Sequence, residues 1–209
     1  SKSILPEIKM LSRHHVLEKI LEQAKQLPAI RTSVCHPCDK NSLLGAIEAA
    51  QNKIIIPVLF GPKDQLHAAA KECGISLNDF ECVFTEHYTE SAALAVEYCR
   101  TGKTEALMKG SLHTDELMHQ VMNRETGLRT KRRISHVYVM SVPTYPKPLL
   151  ITDAAINIYP TLEDKIDICQ NAIDLAIGIG INPPRVAILS AVETVHPKIT
   201  STLDAEPLY

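Results

Sequence analysis

Ala106-Leu-Met-Lys-Gly-Ser-Leu-His-Thr-Asp115 joins a short apolar run to a glycine and then to a string of residues that start helices. An apolar strand that turns at Gly110 into a helix opening near Thr114 is one strand-to-helix step of an α/β fold. The residue types say what such a step can do. Gly110 lets the backbone turn sharply and approach a ligand closely, while Ser111, Thr114 and Asp115 are helix-capping types. A helix beginning near Thr114 aims unpaired N–H groups, carrying about half a positive charge, at whatever occupies the turn. Lys109 adds a full charge beside them. The stretch reads either as the opening of an anion pocket or as an ordinary loop with a solvated lysine.

On the N-terminal side the same alternation repeats. Apolar spacing predicts a helix over 12–27, capped by Ser12 and stopped by Pro28, a strand over 30–35 and a helix over 41–50 entered through Pro37 and Asp39. A strand over 54–60, broken by Pro57, belongs near a sheet edge. A helix over 64–73 closes at Gly74, a strand follows over 80–84, and a helix over 90–100 takes Gly102 as its C-terminal cap. Strands alternating with helices of this length make a parallel sheet covered by helices. On the C-terminal side the pattern restarts after Arg133, with strands over 134–140, 149–152 and 186–189 and a long helix over 161–179 holding Leu162, Ile166, Ile168 and Ala176 inside. The expectation is two α/β lobes, 1–133 and 134–209, with ligands in a cleft at the carboxyl ends of the strands.

The 209 residues are 45% hydrophobic, enough for a proper core, and carry a net charge of −2. That balance excludes a general field for nucleic acid or an anionic membrane. Trp is absent and aromatic content is 4%, which leaves few stacking platforms for bases. No apolar run approaches the ~20 residues of a membrane span and no secretory core stands at the start, so a cytoplasmic location is expected. Six scattered cysteines then read as reduced thiols. Cys35-His-Pro-Cys38 lacks a second paired motif for zinc and the context of a redox pair, and no metal site is expected.

Arg124, Arg129, Lys131, Arg132 and Arg133, opposed only by Glu125, concentrate positive charge in a chain of net negative charge. Such a run is either a solvated face or a phosphate clamp, for which guanidinium groups suit better than lysine. His36 and Asp39 follow one strand; Asp153 and Asn157 follow another; Ser190 and Glu193 follow a third. Each reads singly as an Asx turn or helix cap, and together they line one sheet edge. Gly178-Ile-Gly180 ends a helix and so caps it.

Blocks along nearly the whole chain resemble the phosphate acetyltransferase and phosphate butyryltransferase family. They include His36-Pro-Cys-Asp39, Pro57-Val-Leu-Phe-Gly-Pro62, Ala106-Leu-Met-Lys-Gly110 with His113-Thr-Asp115, Arg133-Ile-Ser-His-Val137, Ile151-Thr-Asp-Ala-Ala-Ile-Asn157, Val186-Ala-Ile-Leu-Ser-Ala-Val-Glu193 and Ser201-Thr-Leu-Asp-Ala205. The resemblance implies transfer of an acetyl or butyryl group between phosphate and coenzyme A, with coenzyme A as substrate, no bound cofactor and no metal. It implies a fold similar to isocitrate and isopropylmalate dehydrogenases, here with the second lobe incomplete, and a homodimer. Substrate-binding residues would be His36, Lys109, Gly110, Ser111, His113, Thr114, Arg129, Arg132, Arg133, Asp153, Asn157, Ser190 and Glu193, with His113 a candidate proton acceptor. The family's serine-arginine pair and aspartate fall past the block at 201–205, so no catalytic residue is assigned. The alternative is a non-catalytic module that binds coenzyme A or phosphate.

Overall fold

A computed structural model of the chain describes residues 5–190, 194–195, 197–198 and 200–208. The chain divides into two compact units: one comprises Glu22–Thr130, and the other Lys131 onward together with the first residues through Leu21. A first helix, α1 (Leu5–Lys25), begins ahead of the predicted cap at Ser12.

In the unit 22–130, strands β1 (Ile30–Cys35), β2 (Ile55–Gly61), β3 (Glu81–Phe84) and β4 (Ala106–Lys109) form a parallel sheet in the order β3-β2-β1-β4. Helices α2 (Lys40–Gln51), α3 (Lys63–Cys73), α4 (Tyr88–Arg100) and α5 (Thr114–Val121) connect or follow them. Each of the first three buries an i, i+3, i+4 triplet: Leu43, Ala46 and Ile47; Leu66, Ala69 and Ala70; Ala92, Ala95 and Val96. Successive strand residues point to opposite faces. Val34 and Leu59 therefore join the α2–α3 cluster, whereas Phe60 meets Tyr98 of α4 edge-to-face at 4.9 Å. Helices end where left-handed glycines stand, Gly74 at φ 68° and Gly102 at φ 78°.

The strand containing Pro57 is not at the sheet edge; β2 lies inside. The physical reason is register. Gly61 O accepts from Thr85 N, so the odd-numbered residues of β2 face β3, whose pairing starts only at Val58 with Glu81. The missing N–H of Pro57 falls one residue short of any partner and costs the ladder nothing.

In the other unit, β5 (Val137–Met140) and β6 (Leu149–Thr152) pair antiparallel, where parallel strands were expected. Helix α6 (Leu162–Gly178) starts with a reciprocal cap, Asp164 N donating to Thr161 Oγ1 at 3.1 Å and Thr161 N to Asp164 Oδ2 at 2.9 Å. It buries Ile168 and Ala176 but leaves Ile166 exposed, and closes before Gly180 at φ 95°. Helix α7 (Thr200–Leu208), not predicted, is tied to α6 by Lys165 Nζ donating to Asp204 Oδ2 at 2.5 Å. The predicted strand at 186–189 does not form: these residues join neither sheet, and Val186 and Leu189 are exposed.

At the junction of β1 and β4 backbone packs directly against backbone. Gly110 N donates to Cys35 O and Ser111 N to His36 O, each at 2.8 Å. A Cβ at position 110 would lie within 3.0 Å of the carbonyl oxygens of both Cys35 and His36. Gly110→Ala is expected to destabilise the protein by about 3 kcal/mol, the upper end for overpacking against atoms that cannot yield. Gly45→Ala, on α2 with nothing within 4 Å of the new methyl, should stabilise by about 0.5–1 kcal/mol. Urea denaturation midpoints of the two variants check both signs.

Candidate functional site

In a parallel sheet ordered β3-β2-β1-β4 the chain reverses its direction of travel between β1 and β4, and the crevice outside their carboxyl ends is the usual place for a ligand. Here the structure brings together His36, Lys109, Gly110 and Ser111. His36 is buried with φ 58°, and its carbonyl accepts from Cys38 N at 2.8 Å, Ser111 N at 2.8 Å and Ser111 Oγ at 2.9 Å. Ser111 Oγ also accepts from Cys38 N at 3.1 Å. Ser111 is thus not a helix cap: its hydroxyl sews the β4 exit to the β1 exit. Gly110 likewise brings backbone against backbone, its N–H donating to Cys35 O.

The cap of α5 is His113, not Ser111 or Thr114; His113 N donates to Glu116 Oε2 at 2.9 Å, and both His113 and Thr114 are exposed. Lys109 is exposed, with Nζ donating weakly to Gly110 O at 3.4 Å. Its positive charge acts on Cys35 and Asp39. Asp39 caps α2, its Oδ1 accepting from Ser42 N at 2.8 Å and from Ser42 Oγ at 2.6 Å, and these bonds hold its carboxyl below the usual range.

Behind this edge lies a polar network that the sequence did not single out. His36 Nδ1 and Ser91 Oγ share a hydrogen bond of 3.2 Å, and Ser91 Oγ and Thr85 Oγ1 share one of 2.7 Å. Ser91 and Thr85 are buried. Burial first, then the neighbouring His87, lowers the His36 pKa from 6.5, with Glu116 opposing. The imidazole is therefore neutral at neutral pH. Burial likewise pushes the thiols of Cys35 and Cys38 up to about 12.

The remaining candidates belong to the other unit, apart from Arg129, which is exposed in the first. Arg132 Nη1 donates to Asp174 Oδ2 at 2.5 Å. Arg133 Nε donates to Asn157 Oδ1 at 2.7 Å and lies 3.7 Å from Asp164 Oδ1. Asp153 performs the Asx turn: Oδ1 accepts from His136 N at 2.9 Å, and Oδ2 from Asn157 N at 2.6 Å and Asn157 Nδ2 at 2.5 Å. Desolvation is the largest single influence on its pKa and raises it, yet these hydrogen bonds together bring it below the ordinary value. Ser190 Oγ and Ser201 Oγ share a bond of 2.8 Å; Glu193 lies outside the described residues. Sequence reasoning missed the partners of the arginines, although Asp164, Asp167, Asn171 and Asp174 carry a signal, their i, i+3, i+7, i+10 spacing on one face of α6. Among the described residues no group of three or more His, Cys, Asp or Glu is placed to hold a metal ion, and no helix is long and apolar enough to cross a membrane.

Residues 84–208 match the family described as phosphate acetyl/butaryl transferase. The chain belongs to that family. It is 50% identical over 204 residues to a phosphate acetyltransferase of Rickettsia felis, covering 97% of this chain and 58% of that one. It is 56% identical over 183 residues to a phosphate acetyltransferase of Rhizobium meliloti, covering 88% and 58%. The fold is similar to the crystal structure of a branched-chain phosphotransacylase from Enterococcus faecalis V583, with a TM-score of 0.66, 27% identity, and coverage of 86% of this chain and 62% of that one. The chain thus spans 58% of the length of these two curated relatives.

Two measurements follow from the buried groups. Because the folded pKa of His36 is below 6.5, folded protein binds fewer protons than unfolded, and the stability contributed by its neutral form is complete above 6.5 and lost as pH falls beneath it. His36→Asn, which tolerates the left-handed backbone, should flatten the unfolding midpoint against pH below 6.5. Iodoacetamide at neutral pH should leave Cys35 and Cys38 unmodified in folded protein and label both in denaturant, by peptide mass mapping.

Proposed function

We propose that the protein containing this chain transfers an acetyl or butyryl group between phosphate and coenzyme A. The observation that carries the reading is family membership together with 50% identity to a phosphate acetyltransferase over 97% of the chain. Both substrates are polyanions, and negative charge develops on the acyl oxygen during transfer, so donors fixed before reaction suit the chemistry. The β1–β4 junction supplies such rigidity, since its loops are bonded to one another, and Lys109 supplies charge there. In this reading Lys109, Gly110, Ser111, His113, Thr114 and His36 form the substrate-binding edge of the first unit. Arg129 adds charge to that unit, and Arg132, Arg133, Asp153, Asn157, Ser190 and Glu193 serve in the second. Gly110, Ser111 and Asp153 act by shaping backbone rather than by touching substrate.

The thiol of coenzyme A, with an ordinary pKa of ~8.5, is a few per cent thiolate at neutral pH and gains from a positive field. Neutral His36 is of the right protonation state to accept a proton. A cytoplasmic homodimer with a fold related to isocitrate and isopropylmalate dehydrogenases completes the reading.

The longer protein that contains this chain, incubated with coenzyme A and acetyl phosphate or butyryl phosphate, should raise thioester absorbance; no rise with either overturns the assignment. Lys109→Ala should weaken KM for one of the two polyanions about tenfold or more, the scale of a lost charge-assisted hydrogen bond, with the fold intact by circular dichroism.

A further inference from the structure

Arg133 is held at several points and left open at one end. Its backbone N–H donates to Asp167 Oδ2 at 2.8 Å and its carbonyl accepts from Asn171 Nδ2 at 2.9 Å, so α6 grips the main chain on both sides of the residue. Its Nε donates to Asn157 Oδ1 at 2.7 Å. Asn157 is itself immobilised, with Nδ2 donating to Ile134 O at 3.0 Å and to Asp153 Oδ2 at 2.5 Å while its N–H donates to the same carboxylate oxygen at 2.6 Å. Asp153 is anchored in turn by the His136 N–H.

The carboxylates nearby are committed to this scaffold. Asp167 holds the main chain, Asp153 holds Asn157 and His136, and Asp164 stands 3.7 Å from Nε, the nitrogen already engaged. The two terminal nitrogens of Arg133 have no hydrogen-bond partner among the described residues, and the side chain is 51% exposed. Arg132 makes the contrast: one of its terminal nitrogens is tied up with Asp174. A surface arginine ordinarily loses rotamer freedom when it binds an anion, and one whose Nε is already fixed has lost much of it beforehand.

We propose that Arg133 is the anion-binding guanidinium of this unit, offering its terminal nitrogens bidentately to a phosphoryl group, and that Asn157 and Asp153 are positioning residues that aim it. Two phosphoryl oxygens match the spacing of the guanidinium fork. The proposal rests on the acyltransferase reading for its ligands. Phosphoryl chemistry is shared by the acyl phosphate or free phosphate and by the phosphates of coenzyme A, and the test separates them.

The test is a set of arginine 15N–1H spectra of the full chain titrated with inorganic phosphate in one arm and coenzyme A in the other, with Arg133→Lys assigning the resonances. One arm should shift the Arg133 signals and slow rotation of its terminal nitrogens, naming the source of the phosphoryl group. Asn157→Ala should raise the Kd for that anion about tenfold without slowing any other arginine, and Arg133→Lys should not restore it, because lysine has no Nε to anchor. Wild-type signals unmoved in both arms, or Asn157→Ala binding as tightly as wild type, overturns the proposal. The wild-type titration decides it even if the variant does not fold. The thioester assay on the longer protein that contains this chain reads the other question: turnover with Arg133 unmoved removes this proposal alone, and a shifted Arg133 without turnover by that protein removes the acyltransferase reading alone.

Discussion

The unit 22–130 depends on one steric constraint, the passage of Gly110 against the peptide of His36. Strands β1 and β4 are neighbours in space and far apart in sequence, and only a residue without a Cβ lets their exits touch. The constraint works from both sides. His36 adopts φ 58°, a backbone that histidine takes at a cost of order 1–3 kcal/mol. In that conformation its carbonyl collects the N–H and the hydroxyl of Ser111 and the N–H of Cys38. Three acceptances by one carbonyl offset the strain, and the same turn brings the imidazole to the buried hydroxyls of Ser91 and Thr85. The exits of β1 and β4 at the carboxyl edge of the sheet are therefore bonded to one another.

The other unit is organised by a complementary pair of patterns. The basic segment at 131–133 would repel itself if merely solvated, and α6 presents Asp164, Asp167, Asn171 and Asp174 along one face to meet it. These contacts are half exposed, so their Coulomb energy is screened and small. Their weight lies in geometry: side chains of one helix bond to both main-chain groups of a single residue. That fixes the basic stretch as a ledge, and β5 starts shortly after it at Val137, with His136 N held by Asp153.

Most of the first unit was legible because α2, α3 and α4 repeat an i, i+3, i+4 triplet and the strands between them are short runs bounded by turn and capping residues, signals that local sequence carries. Pro57 was read as marking a buried strand near an edge, and β2 lies one strand in from it; that a proline is tolerated there was not legible, because a missing donor matters only opposite a partner and the length of β3 relative to β2 is not a local property. The residues at 186–189 have strand composition, but a strand exists only as a ladder, and composition cannot say whether a neighbour is present. Lys109, Gly110 and Ser111 stand at the exit of β4 beside that of β1, while the steric reason for Gly110 was not legible: the atoms it avoids belong to Cys35 and His36, far earlier in the chain. The basic run was visible and its acidic counterpart was not, since read alone the α6 stripe is an ordinary polar face.

The thiols complete the chemistry. A protein that handles an acyl phosphate carries a hazard if its own cysteines compete with coenzyme A for the acyl group, and this chain has six of them. Attack requires thiolate. Burial is the leading influence at Cys35, Cys38, Cys73, Cys82 and Cys169, and it raises every one of them, the first two to about 12. At neutral pH the thiolate fraction of Cys35 and Cys38 falls roughly three orders of magnitude below that of a free thiol near ~8.5. Lys109 pulls Cys35 the other way and is outweighed. Lys109 thus stands beside a resident thiol that burial has silenced, and under the proposed acyl-transfer function discrimination between that thiol and coenzyme A follows from desolvation rather than from distance.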